Sequence, residues 1–484
     1  MVLLKIDLKK GMVTAAIAVC MIALAIIHRM NILLSCCLLI WIIAVTLSFL
    51  DIKNNIAIFC FLISFFVFLL GRQVVYSVFD RQEVYSFLNI TNNKTYFLLL
   101  VSLISVCLGT KIAPRNTEGI GFIDRERDRD NYAVACRIVY YICYLFSIVQ
   151  VLFQIVYVRR VGYLASYTVD AGGAGIPSVV YYFSSFTPVA LSLYLATFPP
   201  RNSSLIELAM FEVYGGLSML TGQRYPFVGI SMFVLSYVVI RSRHEEGWVK
   251  RRYYAYAVIA LPLLIILLTA FDSIRLGQSF TFRNIGDTII TFLDQQGGSI
   301  NTIRRTIYNA KELKDMHFVS FQGTYSALFE NFLARRLFGV ETYSGNSIER
   351  AMAGHDLSAR LSWIAYGDGY LNGLGTGSSF VAELFHDFGA VGVILGSLFY
   401  GVVLGKVSRI EPGKKLKNGI GLAMMYYLFL SPRGGFDSFV GSIFRIYSLF
   451  FFFIIILIAW VLNSIGFSRE KGDIESEKNS DRRI

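Results

Sequence analysis

Long apolar runs separated by polar connections dominate the chain. An α-helix needs about 20 residues, at a rise of about 1.5 Å per residue, to cross the hydrocarbon core of a bilayer. The runs cover residues 11–27, 32–50, 56–71, 95–113, 132–156, 177–198, 203–221, 226–241, 253–272, 378–404, 416–432 and 438–463. The pattern predicts an all-α polytopic membrane protein with about twelve transmembrane helices, and residues 1–484 are expected to form a single transmembrane domain.

Lysine and arginine are distributed unevenly over the connections between these runs. They cluster in the two tails and in alternate connections, at residues 111–129, 241–252 and 406–417. Because short cytoplasmic connections are enriched in Lys and Arg, we expect both termini to lie in the cytoplasm. The same assignment places a long loop, residues 273–377, outside the cell membrane between predicted helices 9 and 10, before the third-last helix. Its recurring apolar residues predict a partly helical loop.

Composition supports the membrane assignment and narrows the chemistry. Hydrophobic residues make up 55% of the chain and charged residues 16%, with a mean hydropathy of +0.56. The net charge of +12 lies mostly in short connections, which argues against a nucleic-acid-binding face. All seven cysteines lie in or beside apolar runs and none forms a C-x-x-C pair, so we expect no disulfide or zinc framework. We expect no metal and no other cofactor.

Ionisable residues occur at the start of the tenth apolar run. Glu383 and His386 follow Ser379 at helical spacing, so the three side chains are predicted to share one side of a helix. Because charges at membrane depth are costly, both are candidate catalytic residues. The alternative for Glu383 is structural, either capping the helix start near Ser379 or pairing with an arginine.

Arginines near the outer ends of the predicted helices are candidate phosphate ligands. Arg224 lies in the short turn Gly-Gln-Arg-Tyr-Pro, where its forked guanidinium is suited to a pyrophosphate, although it is equally suited to reaching the membrane surface. Arg433 and Arg445 could extend such a cationic site. Arg445 lies inside the last predicted helix, and we expect it and Glu212 to find partners within the bundle.

The long loop contains two further candidate regions. Apolar residues at helical spacing from Leu328 to Leu337 predict an amphipathic helix in the membrane interface, where Arg336 would reach a lipid phosphate or a buried anion. Downstream, Arg360 precedes a cluster of aromatic and polar residues that suits sugar binding, because sugar rings stack on aromatic faces. The candidate sugar-binding residues are Trp363, Tyr366, Asp368 and Tyr370. An interfacial aromatic belt explains the same residues equally well.

Together these features resemble the Wzy-type polymerases of bacterial O-antigen and capsular polysaccharide. The resemblance rests on the span count, the late external loop, the turn containing Gly222 and Arg224, and the spacing of Glu383, Gly389 and Gly392. It implies a GT-C-like fold and a membrane glycosyltransferase in the bacterial cytoplasmic (inner) membrane with its active site facing outward. The implied reaction polymerises undecaprenyl-pyrophosphate-linked oligosaccharide repeats without a nucleotide.

The resemblance also implies roles for the candidate residues. Glu383 or His386 would orient or deprotonate the acceptor hydroxyl. The predicted pyrophosphate ligands are Arg224, Arg336, Arg360, Arg433 and Arg445. Partners implied by the resemblance are the undecaprenyl-pyrophosphate-linked oligosaccharide, membrane lipid, a chain-length regulator and a flippase. Two alternatives stay open: an O-antigen ligase, which transfers the finished glycan to another acceptor, and a flippase that moves lipid-linked oligosaccharides.

Overall fold

The computed structural model describes residues 8–79, 87–113, 130–168, 175–250, 262–271, 282, 284–343 and 345–481. All regular secondary structure within these residues is helical. The helices are α1 (Leu8–Ile27), α2 (Ile32–Leu50), α3 (Ile52–Val78), α4 (Asn89–Ile112), α5 (Asn131–Val161), α6 (Ser178–Leu195), α7 (Arg201–Met219), α8 (Tyr225–Arg241), α9 (Pro262–Phe271), α10 (Ile285–Gln296), α11 (Ile300–Tyr308), α12 (Gln322–Phe329), α13 (Phe332–Phe338), α14 (Ile348–Ala353), α15 (Leu357–Tyr366), α16 (Asp368–Leu371), α17 (Phe380–Val407), α18 (Lys415–Leu430), α19 (Val440–Ile443) and α20 (Ile446–Asp481).

Seven of the described helices are long and apolar enough to cross a membrane. They are α2, α3, α4, α5, α6, α17 and the part of α20 that covers Ile446–Ile465. Shorter apolar stretches cover most of α1 and the whole of α8 and α9. Two further helices, α7 and α18, coincide with two more of the predicted apolar runs. Of the run predicted at 253–272, only 262–271 lie within the described residues. The all-α polytopic class is therefore confirmed, and the count of twelve spans stays a prediction.

The backbones of α4 and α17 lie almost in contact. A methyl group on Gly109 would lie 2.2 Å from the carbonyl oxygen of Leu398, and one on Gly401 would lie 2.1 Å from that of Val106. Both distances are shorter than any real contact, so this crossing requires glycine on each helix. Close approach through small residues is the usual way in which membrane helices gain packing energy. The contact fixes α17 within the bundle.

The first turns of α17 are not collinear with the rest of the helix. Gly389 has φ 63° and ψ −154°, a backbone conformation open essentially to glycine alone, and it kinks the helix. The segment before the kink carries Glu383 and His386, and the apolar part after it continues through the bundle. Residues before and after Gly389 therefore do not follow one helical register.

The last membrane helix begins later than its hydrophobicity suggests. The prediction that it includes Arg445 is wrong, because α20 begins at Ile446 and Arg445 precedes it. The carboxylate of Asp437 accepts hydrogen bonds from the backbone N–H groups of Gly323, at 2.7 Å, and Thr324, at 2.6 Å. These contacts hold the segment before α20 against the start of α12. The segment therefore forms a turn and the short helix α19, and it is not part of α20.

The described part of the loop between α9 and α17 is mostly helical and carries α10 to α16. The single amphipathic helix predicted from Leu328 to Leu337 is wrong, because α12 and α13 divide the segment. The cause is Asn331, whose side chain accepts from the backbone N–H of Ala334 at 2.9 Å and caps α13. Leu328 and Leu337 are 58% and 65% exposed.

Candidate active-site cavity

A cavity of about 460 Å³ lies where the turn between α7 and α8 meets the end of α18. Segments far apart in the sequence contribute its walls. The lining residues are Tyr163, Tyr167, Gly222, Gln223, Arg224, Tyr225, Gln296, Tyr427, Leu430, Ser431, Arg433, Gly434, Ser438 and Ser442. We refer to this as the arginine cavity.

Two of the five predicted phosphate ligands line the arginine cavity. Arg224 is half-buried and its Nη1 donates to the carbonyl oxygen of Leu268 at 2.9 Å. Arg433 is exposed and its Nη1 donates to Oε1 of Gln296 at 3.0 Å. None of the described residues lining the cavity is Asp or Glu, so the two guanidinium groups give it a positive potential.

The turn that carries Arg224 depends on Gly222. This residue has φ 86°, and a Cβ atom there would lie 2.3 Å from Cδ2 of Tyr163. Glycine therefore provides both the left-handed backbone and the room for the tyrosine ring. Pro226 then fits one of the first two positions of α8, where no intrahelical N–H donor is needed. The local sequence thus places Arg224 at the end of a tight, closely packed turn.

Sequence analysis did not identify the aromatic residues of this cavity. The hydroxyl groups of Tyr163 and Tyr167 lie 2.8 Å apart, and their ring centroids are 5.2 Å apart at 79°. Burial, followed by the neighbouring Tyr163 hydroxyl, raises the pKa of Tyr167 above its ordinary value, so the Tyr167 phenol remains protonated. Tyr225 and Tyr427 complete the set. The only local signal was a pair of tyrosines four residues apart after α5.

Gln296 is another lining residue that sequence analysis missed. It ends α10, and the next residue, Gly297, packs on Arg72 of α3 so closely that a Cβ atom would lie 2.5 Å from Cβ of Arg72. Arg72 in turn pairs with Asp294 at 3.0 Å. This packing fixes the side-chain amide of Gln296, which accepts the hydrogen bond from Arg433.

Glu383 does not line the arginine cavity. Its side chain is fully surrounded, with 1% of the residue exposed. One carboxylate oxygen accepts from Oγ of Ser378 at 2.6 Å, and the other accepts from the backbone N–H of Phe436 at 2.7 Å. Glu383 therefore holds the turn after α18, three residues beyond Arg433.

His386 faces a different space from Glu383. Its Nε2 lies 3.0 Å from the carbonyl oxygen of Met316, and it lines a second cavity of about 500 Å³. The neighbouring Asp387 accepts from the backbone N–H groups of Val319, at 3.1 Å, and Ser320, at 2.8 Å. The structure therefore does not bring the two candidate catalytic residues to a common cavity.

Arg445 connects three elements close to the arginine cavity without lining it. Its guanidinium donates to the hydroxyl groups of Tyr181 on α6 and Ser326 on α12, both at 3.2 Å. Glu212, by contrast, accepts from the hydroxyl of Ser231 at 3.1 Å. Arg445 and Glu212 thus have separate polar partners on different elements.

The remaining two predicted phosphate ligands lie elsewhere in the loop. Arg360 is 7% exposed and forms an ion pair with Asp315 at 2.9 Å. Arg336 is exposed on α13. Neither residue lines the arginine cavity.

The candidate sugar-binding residues form a small cluster in the loop. Tyr370 is 2% exposed and contacts the edge of Trp363, with ring centroids 6.4 Å apart. The Tyr366 ring lies 5.2 Å from the Arg305 guanidinium, and Asp368 is exposed at the start of α16. Because Tyr370 is buried by its neighbours, its ring does not present an open stacking face.

Comparison with known proteins identifies the family. A family model described as "O-antigen polysaccharide polymerase Wzy" matches residues 12–464. No curated protein and no solved structure matches the chain. Within the described residues, no three His, Cys, Asp or Glu side chains converge as a metal site would require. The matched region covers nearly all of the sequence and includes every residue of the arginine cavity, and the chain belongs to the Wzy family of O-antigen polysaccharide polymerases.

Proposed function

We propose that this protein polymerises undecaprenyl-pyrophosphate-linked oligosaccharide repeats at the outer leaflet of the inner membrane. The observation that carries the proposal is the arginine cavity, in which Arg224 and Arg433 meet tyrosine and serine hydroxyls with no carboxylate among the described lining residues. Such a lining suits a pyrophosphate attached to a sugar, since guanidinium groups bind phosphate oxygens and aromatic rings stack on sugars.

In the proposed reaction, a hydroxyl oxygen of the next repeat attacks the anomeric carbon of the growing chain. The bond between that carbon and the pyrophosphate oxygen breaks, and the bonding electrons stay with the lipid pyrophosphate. The net products are a longer glycan on the second carrier and free undecaprenyl pyrophosphate. The proton released by the acceptor hydroxyl is taken up by the departing pyrophosphate. The barrier is lowered by alignment of the two sugars and by stabilisation of the departing charge.

The two cavity arginines supply that charge stabilisation. Arg224 donates to the Leu268 carbonyl and Arg433 donates to the Gln296 amide, and these contacts help to fix the position of each guanidinium group in the cavity. Preorganised donors of this kind need little rearrangement as charge develops on the leaving group. Tyr163 and Tyr427 would stack against the sugars next to the pyrophosphate.

We assign Glu383 a positioning role rather than that of a base. Its two hydrogen-bonded oxygens fix Ser378 and the backbone of Phe436, and through that backbone the turn that carries Arg433. His386 lies on the other cavity and takes no part in this proposal.

The proposed orientation has about twelve spans, both termini in the cytoplasm and the arginine cavity facing outward, in a GT-C-like arrangement. The clustering of Lys and Arg in alternate connections supports it. A flippase would be a functional partner, since the substrate must reach the outer leaflet, and the family resemblance implies a chain-length regulator as a second one. No metal or nucleotide is required by the proposed chemistry.

The test is chain growth in membranes supplied with purified lipid-linked repeat, followed by gel analysis of glycan length. Arg224→Lys and Arg433→Lys keep the charge but lose the fork, and each is expected to slow polymerisation by about 10²-fold. Arg335→Lys, an exposed arginine on α13, is the matched control. Normal polymer from both cavity variants would remove the arginine cavity from the mechanism, and transfer of preformed polymer to a second acceptor would identify a ligase.

A further inference from the structure

The second cavity shares no lining residue with the arginine cavity. It lies between α11, the connection that follows α11, and the first turns of α17. Its lining residues are Thr306, Ala310, Lys314, Met316, His317, Phe318, Phe385, His386, Asp387 and Phe388. We refer to it as the lysine–histidine cavity.

The polar side of this cavity is basic. Lys314 and His317 are exposed, and His386 is half-buried. Asp387 is the only carboxylate among the described lining residues, and it is occupied by the N–H groups of Val319 and Ser320. The cavity therefore offers basic side chains to an anion, with its single acid turned toward the backbone.

The other side of the cavity is apolar, and the part of α17 that follows the kink also exposes apolar side chains. Phe318 and Phe388 are 65% and 44% exposed at the cavity, and Val391 and Leu395, beyond the kink, are 64% and 60% exposed. Phe318 also has φ 56°, a left-handed conformation that a bulky residue rarely adopts. Basic groups above an exposed apolar helix face match the two halves of a membrane lipid.

We propose that the lysine–histidine cavity binds the phosphate of an anionic phospholipid, whose acyl chains lie along the exposed face of α17. Lys314 and His317 contact the phosphate, and Phe388 and Val391 contact the chain. None of the described lining residues is arginine. Lysine acts as a single point charge and histidine adds a ring N–H donor, which together suit a monoanionic phosphodiester, whereas a pyrophosphate favours the arginine fork. This inference rests on the proposed orientation in the membrane, which places the cavity at the outer leaflet.

The test is native mass spectrometry of the full chain purified in detergent and mixed with phosphatidylglycerol. We expect Lys314→Gln combined with His317→Gln to reduce the phosphatidylglycerol adducts at least fivefold. The matched control is Lys311→Gln, an exposed lysine of the same connection that does not line the cavity, and it should retain wild-type adducts. Zwitterionic phosphatidylcholine should form few adducts with any of these proteins.

Two outcomes overturn the proposal. One is equal phosphatidylglycerol binding by the wild type and the double variant. The other is displacement of phosphatidylglycerol by an equimolar amount of undecaprenyl pyrophosphate in the wild type, which would make this a carrier site. Arg224→Lys separates this inference from the proposed polymerase function, because it should lose polymerisation while retaining the phosphatidylglycerol adducts.

Discussion

The two cavities are of similar size but differ in the chemistry of their linings. The arginine cavity joins Arg224 and Arg433 to tyrosine and serine hydroxyls, whereas the lysine–histidine cavity joins Lys314 and His317 to exposed phenylalanines. The first lining suits a hydrated, multiply charged group attached to a sugar. The second suits a singly charged group attached to a hydrocarbon chain. A positive potential alone is therefore not enough to assign the proposed reaction to one of the two cavities, and the proposed assignment rests on the neighbouring side chains.

The carboxylates near the two cavities serve a common purpose. Glu383, Asp387 and Asp437 each accept backbone N–H groups from a segment remote in the sequence. They fix the turn after α18 and the connection before α12 against the membrane helices. The acids thus fix the shape of the cavity walls, and in the proposed functions the basic side chains bind the ligands.

The most severe test of the difference between the two cavities is to remove both guanidinium groups from the arginine cavity. Arg224→Ala combined with Arg433→Ala should lower the rate of chain growth by about 10³-fold or more, since each preformed donor is worth about 10²- to 10³-fold. The rate is measured with purified lipid-linked repeat. Replacing two exposed arginines, Arg335 on α13 and Arg159 on α5, by alanine is the control for loss of two arginines. A double cavity variant with wild-type rate would contradict the assignment.

A second test asks whether Glu383 positions Arg433 or only stabilises the fold. Glu383→Gln keeps the shape but loses one of two acceptors, which should cost about 1–3 kcal/mol in the free energy of unfolding. We also expect the KM for the lipid-linked donor to rise about tenfold, which corresponds to about 1.4 kcal/mol of lost binding.

The control for that variant is Glu207→Gln. Glu207 is also completely buried and accepts from Arg137 at 2.7 Å, but it lies on α7 and does not line the arginine cavity. It should lose stability with an unchanged donor KM. If both variants lose stability and neither changes KM, Glu383 has a structural role alone.

Gly222 gives a test of the turn that presents Arg224. Gly222→Ala places a methyl group on the Tyr163 ring and strains a backbone at φ 86°, at a cost of about 1 kcal/mol or more. We expect about fivefold slower chain growth, as follows from about 1 kcal/mol in the barrier. Gly216→Ala on α7 is the matched control, since a Cβ atom there meets no neighbouring atom. Equal rates for the two variants would argue against a rigid turn.

Local features of the sequence were enough to select two of the candidate site residues. Arg224 could be selected because a short turn between two apolar runs fixes its depth in the membrane. Glu383 could be selected because a charged side chain at the start of a span is energetically costly unless it has a role. The hydrogen-bond partners could not be predicted, because they lie far away in the sequence. Glu383 accepts from the backbone N–H of Phe436, and Arg433 donates to Gln296. The start of α20 was misjudged because Phe439, Val440 and Ile443 extend its apolar run toward the N-terminus, and hydropathy does not show that Asp437 holds this segment as a separate turn.

The smallest expected effect concerns the hydroxyl groups of the arginine cavity. Tyr163→Phe keeps the ring on Gly222 and removes only the hydroxyl that lies 2.8 Å from Tyr167. A net loss of about 0.5–1 kcal/mol, usual for one neutral hydrogen bond, should raise the donor KM about two- to fivefold with little change in kcat. Tyr308→Phe, which alters a 63% exposed tyrosine on neither cavity, is the control. A fall in kcat with constant KM would instead mean that the Tyr163 hydroxyl acts on the transition state, and the aromatic wall would then belong to the chemistry and not only to sugar binding.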